Sequence, residues 1–120
     1  MKPHLLVVED QPHLCELYAL EFAEEGFAVR CVSTAEEALA ALKQAAFDVM
    51  MVDLQLPLHS GFELLDTLNQ SGARPCPVII CTAYSSYRDA PISKLADAYV
   101  VKSGDLTELK NTVRRVMHRA

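Results

Sequence analysis

Short runs of apolar residues alternate along this chain with longer segments in which apolar positions recur every three or four residues. Runs of that length are typical of strands, whereas the recurring positions are typical of helices with one buried face. The five runs occupy residues 4–8, 27–32, 47–53, 78–82 and 98–102. Because strands and helices alternate throughout, the pattern predicts an α/β fold: a doubly wound, five-stranded parallel sheet with helices on both faces.

Two prolines and a glycine mark the predicted helix boundaries. Pro12 suits the first turn of a helix, and Gly26 suits the left-handed residue that ends it. Pro91 falls where a helix between the fourth and fifth strands would have its interior. Since proline removes a helical hydrogen bond, we expect this last helix to be short or irregular.

The length and charge of the chain limit the classes of protein to which it can belong. Its 120 residues suffice for one buried core, so we predict one domain over residues 1–120. The net charge is −5 and there is no long basic block, which argues against direct binding to nucleic acid. No apolar run approaches the roughly 20 residues of a membrane-spanning helix, and the amino end has no recognisable signal peptide. We therefore expect a cytoplasmic protein without membrane attachment.

The four cysteines are Cys15, Cys31, Cys76 and Cys81. Their spacing matches neither a zinc site nor the disulfide framework of a small secreted domain. We therefore predict that all four are buried, reduced thiols.

Polar residues follow four of the five predicted strands. Glu9 and Asp10 follow the first, Asp53 ends the third, Thr82 ends the fourth and Lys102 ends the fifth. In an open parallel sheet, ligands bind beyond the carboxyl ends of the strands. Four such residues at one edge are difficult to explain as helix caps, so this edge is the predicted functional site.

Three carboxylates at this edge would repel one another, and Lys102 supplies only one positive charge. A divalent cation resolves the conflict, and oxygen ligands at a few positions favour Mg²⁺. The predicted ligands are the carboxylates of Asp10 and Asp53 and the backbone carbonyl of Gln55, with Glu9 acting through a water molecule.

A carboxylate beside Mg²⁺ is a potential nucleophile for phosphoryl transfer, a reaction that depends mainly on positioning and charge neutralisation. Asp53 is the predicted attacking residue, and Lys102 the second cation. The Thr82 hydroxyl would donate to the phosphoryl oxygens, and the small side chain of Ala83 would keep the site open.

Over essentially its whole length the chain resembles the bacterial response regulator receiver domain. The matching residues are Glu9-Asp10, Asp53 with Pro57 and Gly61, Thr82-Ala83, and Tyr99-Val100-Val101-Lys102. The resemblance implies a flavodoxin-like fold with strand order 2-1-3-4-5, for which a chemotaxis receiver is a standard illustration. It also implies Mg²⁺ dependence, Asp53 as phosphoacceptor, and a histidine kinase or phosphotransfer protein as donor.

Tyr99 matches the position of the family's switch aromatic residue. The resemblance implies that phosphorylation of Asp53 draws Thr82 towards the phosphoryl group, that Tyr99 turns inward, and that an interaction face formed by residues 84–118 changes shape. The expected partners are a downstream protein or a C-terminal output domain, and a homodimer through this face is a further option. A half-buried aromatic residue without a switching role is the alternative for Tyr99.

The chain departs from the family pattern after its lysine, where Ser103 replaces the usual proline. Because a cis bond before a non-proline residue costs about 2.5–4 kcal/mol, we predict a trans Lys102–Ser103 bond. The segment between Thr82 and Lys102 is also slightly short, in keeping with an irregular helix near Pro91.

Three other functions compete with that of a phosphoacceptor. A flavin-binding module on the same fold is disfavoured, because Glu9 and Asp10 would repel the flavin phosphate. An aspartyl-phosphate phosphatase needs a second acid two residues after its nucleophile, and position 55 is Gln, which cannot perform that acid-base chemistry. The phosphoryl group should therefore persist, with Tyr84 hindering the attacking water from the rim. A degenerate receiver that acts as a phosphorylation-independent interaction module remains the alternative.

Overall fold

The computed structural model describes residues 2–57, 60–71 and 74–118. The strands are β1 (His4–Val8), β2 (Ala28–Val32), β3 (Val49–Val52), β4 (Val78–Thr82) and β5 (Ala98–Val101). The helices are α1 (Pro12–Glu24), α2 (Ala35–Gln44), α3 (Gly61–Gln70) and α4 (Thr107–Met117), and a 3-10 helix spans Pro91–Leu95. None of the helices in the described ranges has the length and apolar character needed to cross a membrane.

The five strands form one sheet in the order β2-β1-β3-β4-β5, and every neighbouring pair is parallel. The predicted fold and strand order are therefore confirmed. In register, Val8 lies beside Val52, Val52 beside Ile80, and Thr82 beside Val101. Because the strands stop at nearly the same level, the residues that follow them meet at one edge.

Apolar residues on both faces of the sheet are buried by helices, as the alternating pattern predicts. On one face, Leu6 and Val8 of β1 belong to a core cluster with α2 and α3. On the other face, Leu5 and Val7 belong to a cluster with α1 and α4. Strands buried on both sides need continuous apolar runs, which explains the composition of β1, β3 and β4.

The ends of α1 follow the predicted use of proline and glycine. Pro12 occupies the first helical position, and Gly26 has a φ of 95°, in the left-handed region. The amide of Gly26 donates to the carbonyl of Ala23, and the amide of Phe27 donates to that of Phe22. This pair of bonds is a Schellman motif, which satisfies carbonyls that the helix end would otherwise leave unpaired.

The segment between β4 and β5 is irregular, as Pro91 predicts. Residues 86–89 form turns, and the 3-10 helix Pro91–Leu95 is the only helical element of this segment. The hydroxyl of Ser93 donates to the carbonyl of Tyr87, and Asp97 accepts from the amide of Val78. These contacts hold the segment against the sheet without a long helix.

The prediction that all four cysteines are reduced thiols is wrong for two of them. Cys15 of α1 and Cys31 of β2 form a disulfide, while Cys76 and Cys81 are free and buried as expected. The packing of α1 beside β2 brings the two bonded residues to a Cα–Cα distance of 6.0 Å, which lies within the usual range for disulfides. Spacing along the chain could not show this contact, since it depends on tertiary packing.

Replacing Gly61 with alanine is expected to lower the free energy of unfolding by about 1–3 kcal/mol, the usual cost of overpacking. An added Cβ would clash with the carbonyl oxygen of Asp53 and would lie 2.8 Å from the Cα of Leu54. Urea unfolding measures the effect. Gly104→Ala is the matched control, because a Cβ there meets nothing within 4 Å. Equal effects of the two substitutions would contradict the prediction.

Candidate functional site

Three acidic side chains converge at the carboxyl edge of the sheet. Glu9, Asp10 and Asp53 each place a carboxylate oxygen within 4.8 Å of the others. Glu9 and Asp53 are buried, with 2% and 5% of their surface exposed, whereas Asp10 is exposed. The predicted convergence of these residues is therefore present in the structure.

Lys102 bridges the two buried carboxylates. Its Nζ lies 2.6 Å from Oε1 of Glu9 and 2.9 Å from Oδ2 of Asp53. Its backbone amide donates to the carbonyl of Thr82 over 2.7 Å, so the ends of β4 and β5 are fixed together. Every peptide bond in the described ranges is trans, which confirms the prediction for Lys102–Ser103.

Backbone hydrogen bonds fix the acidic residues in place. The Glu9 amide donates to the carbonyl of Val32 over 2.9 Å, and the Asp53 amide donates to that of Val8 over 3.1 Å. The side chain of Glu9 accepts from the Gln11 amide, and Oδ1 of Asp53 accepts from the Gln55 amide at 3.1 Å. The site is therefore held by the strand ends themselves.

Burial and charge act in opposite directions on Glu9 and Lys102. Burial raises the pKa of Glu9, and its hydrogen bond to Lys102 offsets this only in part. Burial alone would lower the pKa of Lys102, but its hydrogen bonds to Glu9 and Asp53 raise that pKa above the usual value. The ammonium group of Lys102 thus pairs with Glu9 and Asp53, and it does not pair with Asp10.

The donor set fits a hard divalent cation. The cluster sets three carboxyl groups against one ammonium group, and the ligand atoms that it offers are oxygens. Asp10 and Gln55 also line one open cleft, together with Leu54, Leu56, Pro57 and Ser60. Residues of the predicted Mg²⁺ site therefore face a common opening.

Glu9→Gln is expected to raise the free energy of unfolding at neutral pH by about 1 kcal/mol. Since burial raises the pKa of Glu9 in the folded state, the contribution of Glu9 to wild-type stability falls as pH rises from the ordinary glutamate pKa through the raised one. The variant should lack that decline. Urea unfolding in a chelator at several pH values measures it, with exposed Glu16→Gln as control. Loss of stability in Glu9→Gln at neutral pH would refute the prediction.

Thr82 carries a hydroxyl without a partner. The residue is fully buried at the end of β4, and its Oγ1 makes no hydrogen bond within the described part of the chain. Leaving a buried hydroxyl unpaired costs about 1–3 kcal/mol. A ligand that offered acceptor oxygens near Asp53 would therefore find a donor available. Ala83 follows directly and is exposed.

Tyr99 is connected to the loop that follows Thr82. Its hydroxyl donates to the backbone carbonyl of Tyr84, and the guanidinium of Arg88 lies 5.4 Å from its ring centre. Tyr99 is half-buried, and Tyr84 is 42% exposed near the predicted rim. The role of Tyr84 in hindering the attacking water stays a prediction.

Tyr18 is a site neighbour that the sequence did not single out. It is buried beneath the acidic cluster, where it lines a small pocket with Glu9 and Asp53, and its hydroxyl lies 3.8 Å from the Cys81 Sγ. Burial raises the pKa of Tyr18. Its helical spacing indicated only a core position, since nothing in the sequence pattern shows which strand residue it meets.

Comparisons with known proteins agree with this geometry. A family model described as "Response regulator receiver domain" matches residues 5–114. The transcriptional regulatory protein PmrA of Pectobacterium parmentieri is 37% identical over 118 residues, which are 96% of this chain and 52% of PmrA. The transcriptional regulatory protein PcoR of Escherichia coli is 30% identical over 97% of this chain and 52% of its own length. The chain thus spans about half the length of these curated relatives.

Solved structures of response regulators are similar to this chain in fold and in sequence. The response regulator protein TrrA of Thermotoga maritima, in complex with Mg²⁺-BeF, superposes with a TM-score of 0.90 and 36% identity, covering 97% of this chain and 99% of TrrA. TrrA in complex with the histidine kinase ThkA gives a TM-score of 0.87 over 97% and 98% of the two chains. With the matching family model, these likenesses show that the chain belongs to the response regulator receiver domain family.

Proposed function

We propose that this receiver domain, spanning residues 1–120, accepts a phosphoryl group on Asp53 from a histidine kinase or phosphotransfer protein and changes a protein-interaction face in response. The observation that carries the proposal is the meeting of buried Asp53 with Glu9, exposed Asp10 and Lys102 at the carboxyl edge of the sheet. The complexes of the similar TrrA protein with Mg²⁺-BeF and with a histidine kinase support the same chemistry.

Asp53 is positioned as the nucleophile. Each of its oxygens accepts one hydrogen bond, from Gln55 N or from Lys102 Nζ, and a carboxylate oxygen retains a further lone pair for attack. An oxygen of Asp53 forms the new bond to phosphorus as the bond to the donor breaks, and the donor keeps the bonding electrons. Lys102 then stabilises the negative charge that the phosphoryl group brings.

The metal in this scheme is Mg²⁺, which would be held by Asp10, Asp53 and the backbone carbonyl of Gln55, with Glu9 acting through water. When bound, it would neutralise charge on the phosphoryl oxygens. Asp10 is the exposed member of the acidic cluster, so it is available to a cation from solvent. The positive charges of Lys102 and the ion together would balance the negative charges of the three carboxylates. Lys102 alone balances only one of them.

Thr82 and Tyr99 transmit the change. The unpaired hydroxyl of Thr82 gains a partner when phosphoryl oxygens arrive, so phosphorylation favours its movement towards Asp53. Such movement displaces the following loop, whose Tyr84 carbonyl accepts the bond from the Tyr99 hydroxyl. The shift between two arrangements is thus driven by a new local charge. Its output would pass to a downstream protein, a second copy of the chain, or an output domain joined to the receiver.

Tyr99→Phe is expected to loosen the segment from 84 to 90 in the unphosphorylated protein, because it removes the donor to the Tyr84 carbonyl. Amide hydrogen exchange in this segment should rise several-fold towards the rate of the phosphorylated wild type. Tyr87→Phe is the control. The Tyr87 ring is 43% exposed and contacts Phe62 and Tyr84, and phenylalanine keeps these ring contacts. An unchanged exchange rate in Tyr99→Phe would contradict a role for Tyr99 in the switch.

Incubation with acetyl phosphate tests the proposed function. Intact mass should increase by one phosphoryl group in the presence of Mg²⁺, and a chelator or Asp53→Asn should abolish the increase. Asp48→Asn is the control, because Asp48 precedes β3 at the opposite end of the strand and pairs with the His4 amide. A wild type that stays unlabelled under all conditions would instead favour the degenerate, phosphorylation-independent module.

A further inference from the structure

The disulfide between Cys15 and Cys31 joins two elements that adjoin the loop carrying Glu9 and Asp10. Cys15 is in the first turn of α1, five residues after Asp10, and its amide donates to the carbonyl of Gln11. Cys31 precedes Val32, whose carbonyl accepts the amide of Glu9. The bond thus ties α1, which follows the loop that carries Glu9 and Asp10, to β2, whose Val32 holds the Glu9 amide.

We propose that Cys15 and Cys31 form a reversible redox-modification site, oxidised by low-molecular-weight disulfides and reduced by low-molecular-weight thiols, whose state controls how firmly the Glu9–Asp10 loop is held. The redox chemistry involves the thiol pair alone. Tighter binding of Mg²⁺ by the oxidised form is the expected consequence, and it rests on the proposed function.

The four cysteines differ in accessibility. Cys15 and Cys31 are both partly exposed, so this pair is more open to small thiols and disulfides than the other two cysteines. Cys76 and Cys81 are 8% and 4% exposed, and burial raises the pKa of each to about 11. Since the thiolate is the reactive form, the buried pair should be inert. Oxidants of this class therefore have one target pair in the chain.

The reaction is a thiol–disulfide exchange in two steps. The thiolate of one cysteine attacks the small disulfide, forms a mixed disulfide and releases one small thiolate. The second cysteine thiolate attacks the protein sulfur of that mixed disulfide and releases the other small thiolate. Two protein thiols lose two electrons, the small disulfide gains them, and the two protons pass to the released thiolates.

Closing this bond restricts the start of α1 relative to β2. Glu9 depends on both elements, because its amide is bonded to Val32 and its side chain to the Gln11 amide. A covalent tie therefore reduces the freedom that the loop must lose when its oxygens converge on a cation. Protein groups that are already held in the binding geometry bind a cation more tightly than groups that must first be ordered.

The thiol pair is tested by equilibrating the protein in buffers of graded glutathione and glutathione disulfide content, followed by acid trapping, unfolding and alkylation. Mass analysis should show two alkylated thiols under oxidising conditions and four under reducing conditions, with peptides of Cys15 and Cys31 linked in the former. Cys31→Ser should never form an intrachain bond, whereas Cys76→Ala should form it normally. Four free thiols in every buffer, or a bond that excess thiol cannot reduce, would overturn the reversible site.

The coupling is tested by titrating both redox forms with Mg²⁺ and following the site by nuclear magnetic resonance. The oxidised form should bind at least about threefold more tightly, and the Cys31→Ser variant should keep the affinity of the reduced form in every buffer. Equal affinities in the two forms would overturn the coupling alone. Absence of Mg²⁺ binding in both forms would overturn the proposed function as well, while the alkylation result would still decide the thiol pair.

Discussion

Replacing Lys102 with methionine is expected to lower the free energy of unfolding at neutral pH by about 3 kcal/mol and to abolish acceptance of a phosphoryl group. Glu9 and Asp53 lie 2.6 and 2.9 Å from its Nζ, and the lysine side chain is 15% exposed. Without the ammonium, two buried carboxylates would face each other unpaired. Methionine preserves much of the volume, so the loss reports mainly on charge.

The dependence on pH separates charge from packing. Because the pKa of Lys102 is raised in the folded state, its contribution is complete at neutral pH and disappears only as pH rises through that raised pKa. Burial raises the pKa of Glu9, so acid protonates this carboxylate and removes the repulsion that it contributes in the variant. The deficit of Lys102→Met relative to wild type should therefore be largest near neutral pH and should shrink as the pH falls.

Urea unfolding in the presence and absence of Mg²⁺ measures these effects. A divalent cation should restore part of the stability that Lys102→Met loses, since it binds only the folded site. Lys110→Met is the matched control, because Lys110 pairs with Glu21 at 2.7 Å on a more exposed surface. That substitution should cost less than about 1 kcal/mol. Equal losses in the two variants would contradict the electrostatic account.

Asp10→Asn is expected to weaken Mg²⁺ binding by about 100-fold or more and to slow labelling by acetyl phosphate in proportion. Asparagine keeps an oxygen ligand but removes the negative charge. Because Asp10 is exposed, stability should change by less than about 0.5 kcal/mol, the usual range for surface substitutions. The variant thus separates metal binding from folding.

A titration of Mg²⁺ against the initial rate of labelling measures the effect of Asp10→Asn. Raising the Mg²⁺ concentration should recover part of the rate, because Asp53 and the Gln55 carbonyl remain. Asp48→Asn should retain the wild-type titration curve, as its side chain bonds the His4 amide at the other end of β3. A wild-type curve for Asp10→Asn would remove Asp10 from the metal site.

Local patterns were sufficient to predict most elements of the fold. Four consecutive apolar residues in Val49–Val52 indicated a strand buried on both faces, and β2, which carries the charged Arg30, lies at the edge of the sheet. Pro91 predicted the loss of a regular helix. The order of the strands could not be predicted from local patterns, because strand pairing depends on contacts between residues distant in sequence. That order was predicted from the family resemblance.

The site was predicted in composition but not in its contacts. The rule that polar residues meet at the carboxyl edge brought Glu9, Asp53 and Lys102 together, yet the single ammonium bridge between both carboxylates required coordinates. The Cys15–Cys31 bond and the position of Tyr18 beneath the acids arise from the packing of α1 on the sheet. Such side-chain contacts leave no periodic trace in a sequence.

Asp53 itself is expected to carry the phosphoryl group. Borohydride cleaves an acyl phosphate by reduction, so treatment of the acetyl phosphate-labelled protein followed by peptide mass analysis identifies the modified residue. Reduction should occur at position 53 alone, only when Mg²⁺ was present during labelling, and it should not occur in Asp53→Asn. Reduction at Glu9, Asp10 or another carboxylate, or continued labelling of Asp53→Asn, would contradict the assignment of Asp53 as phosphoacceptor.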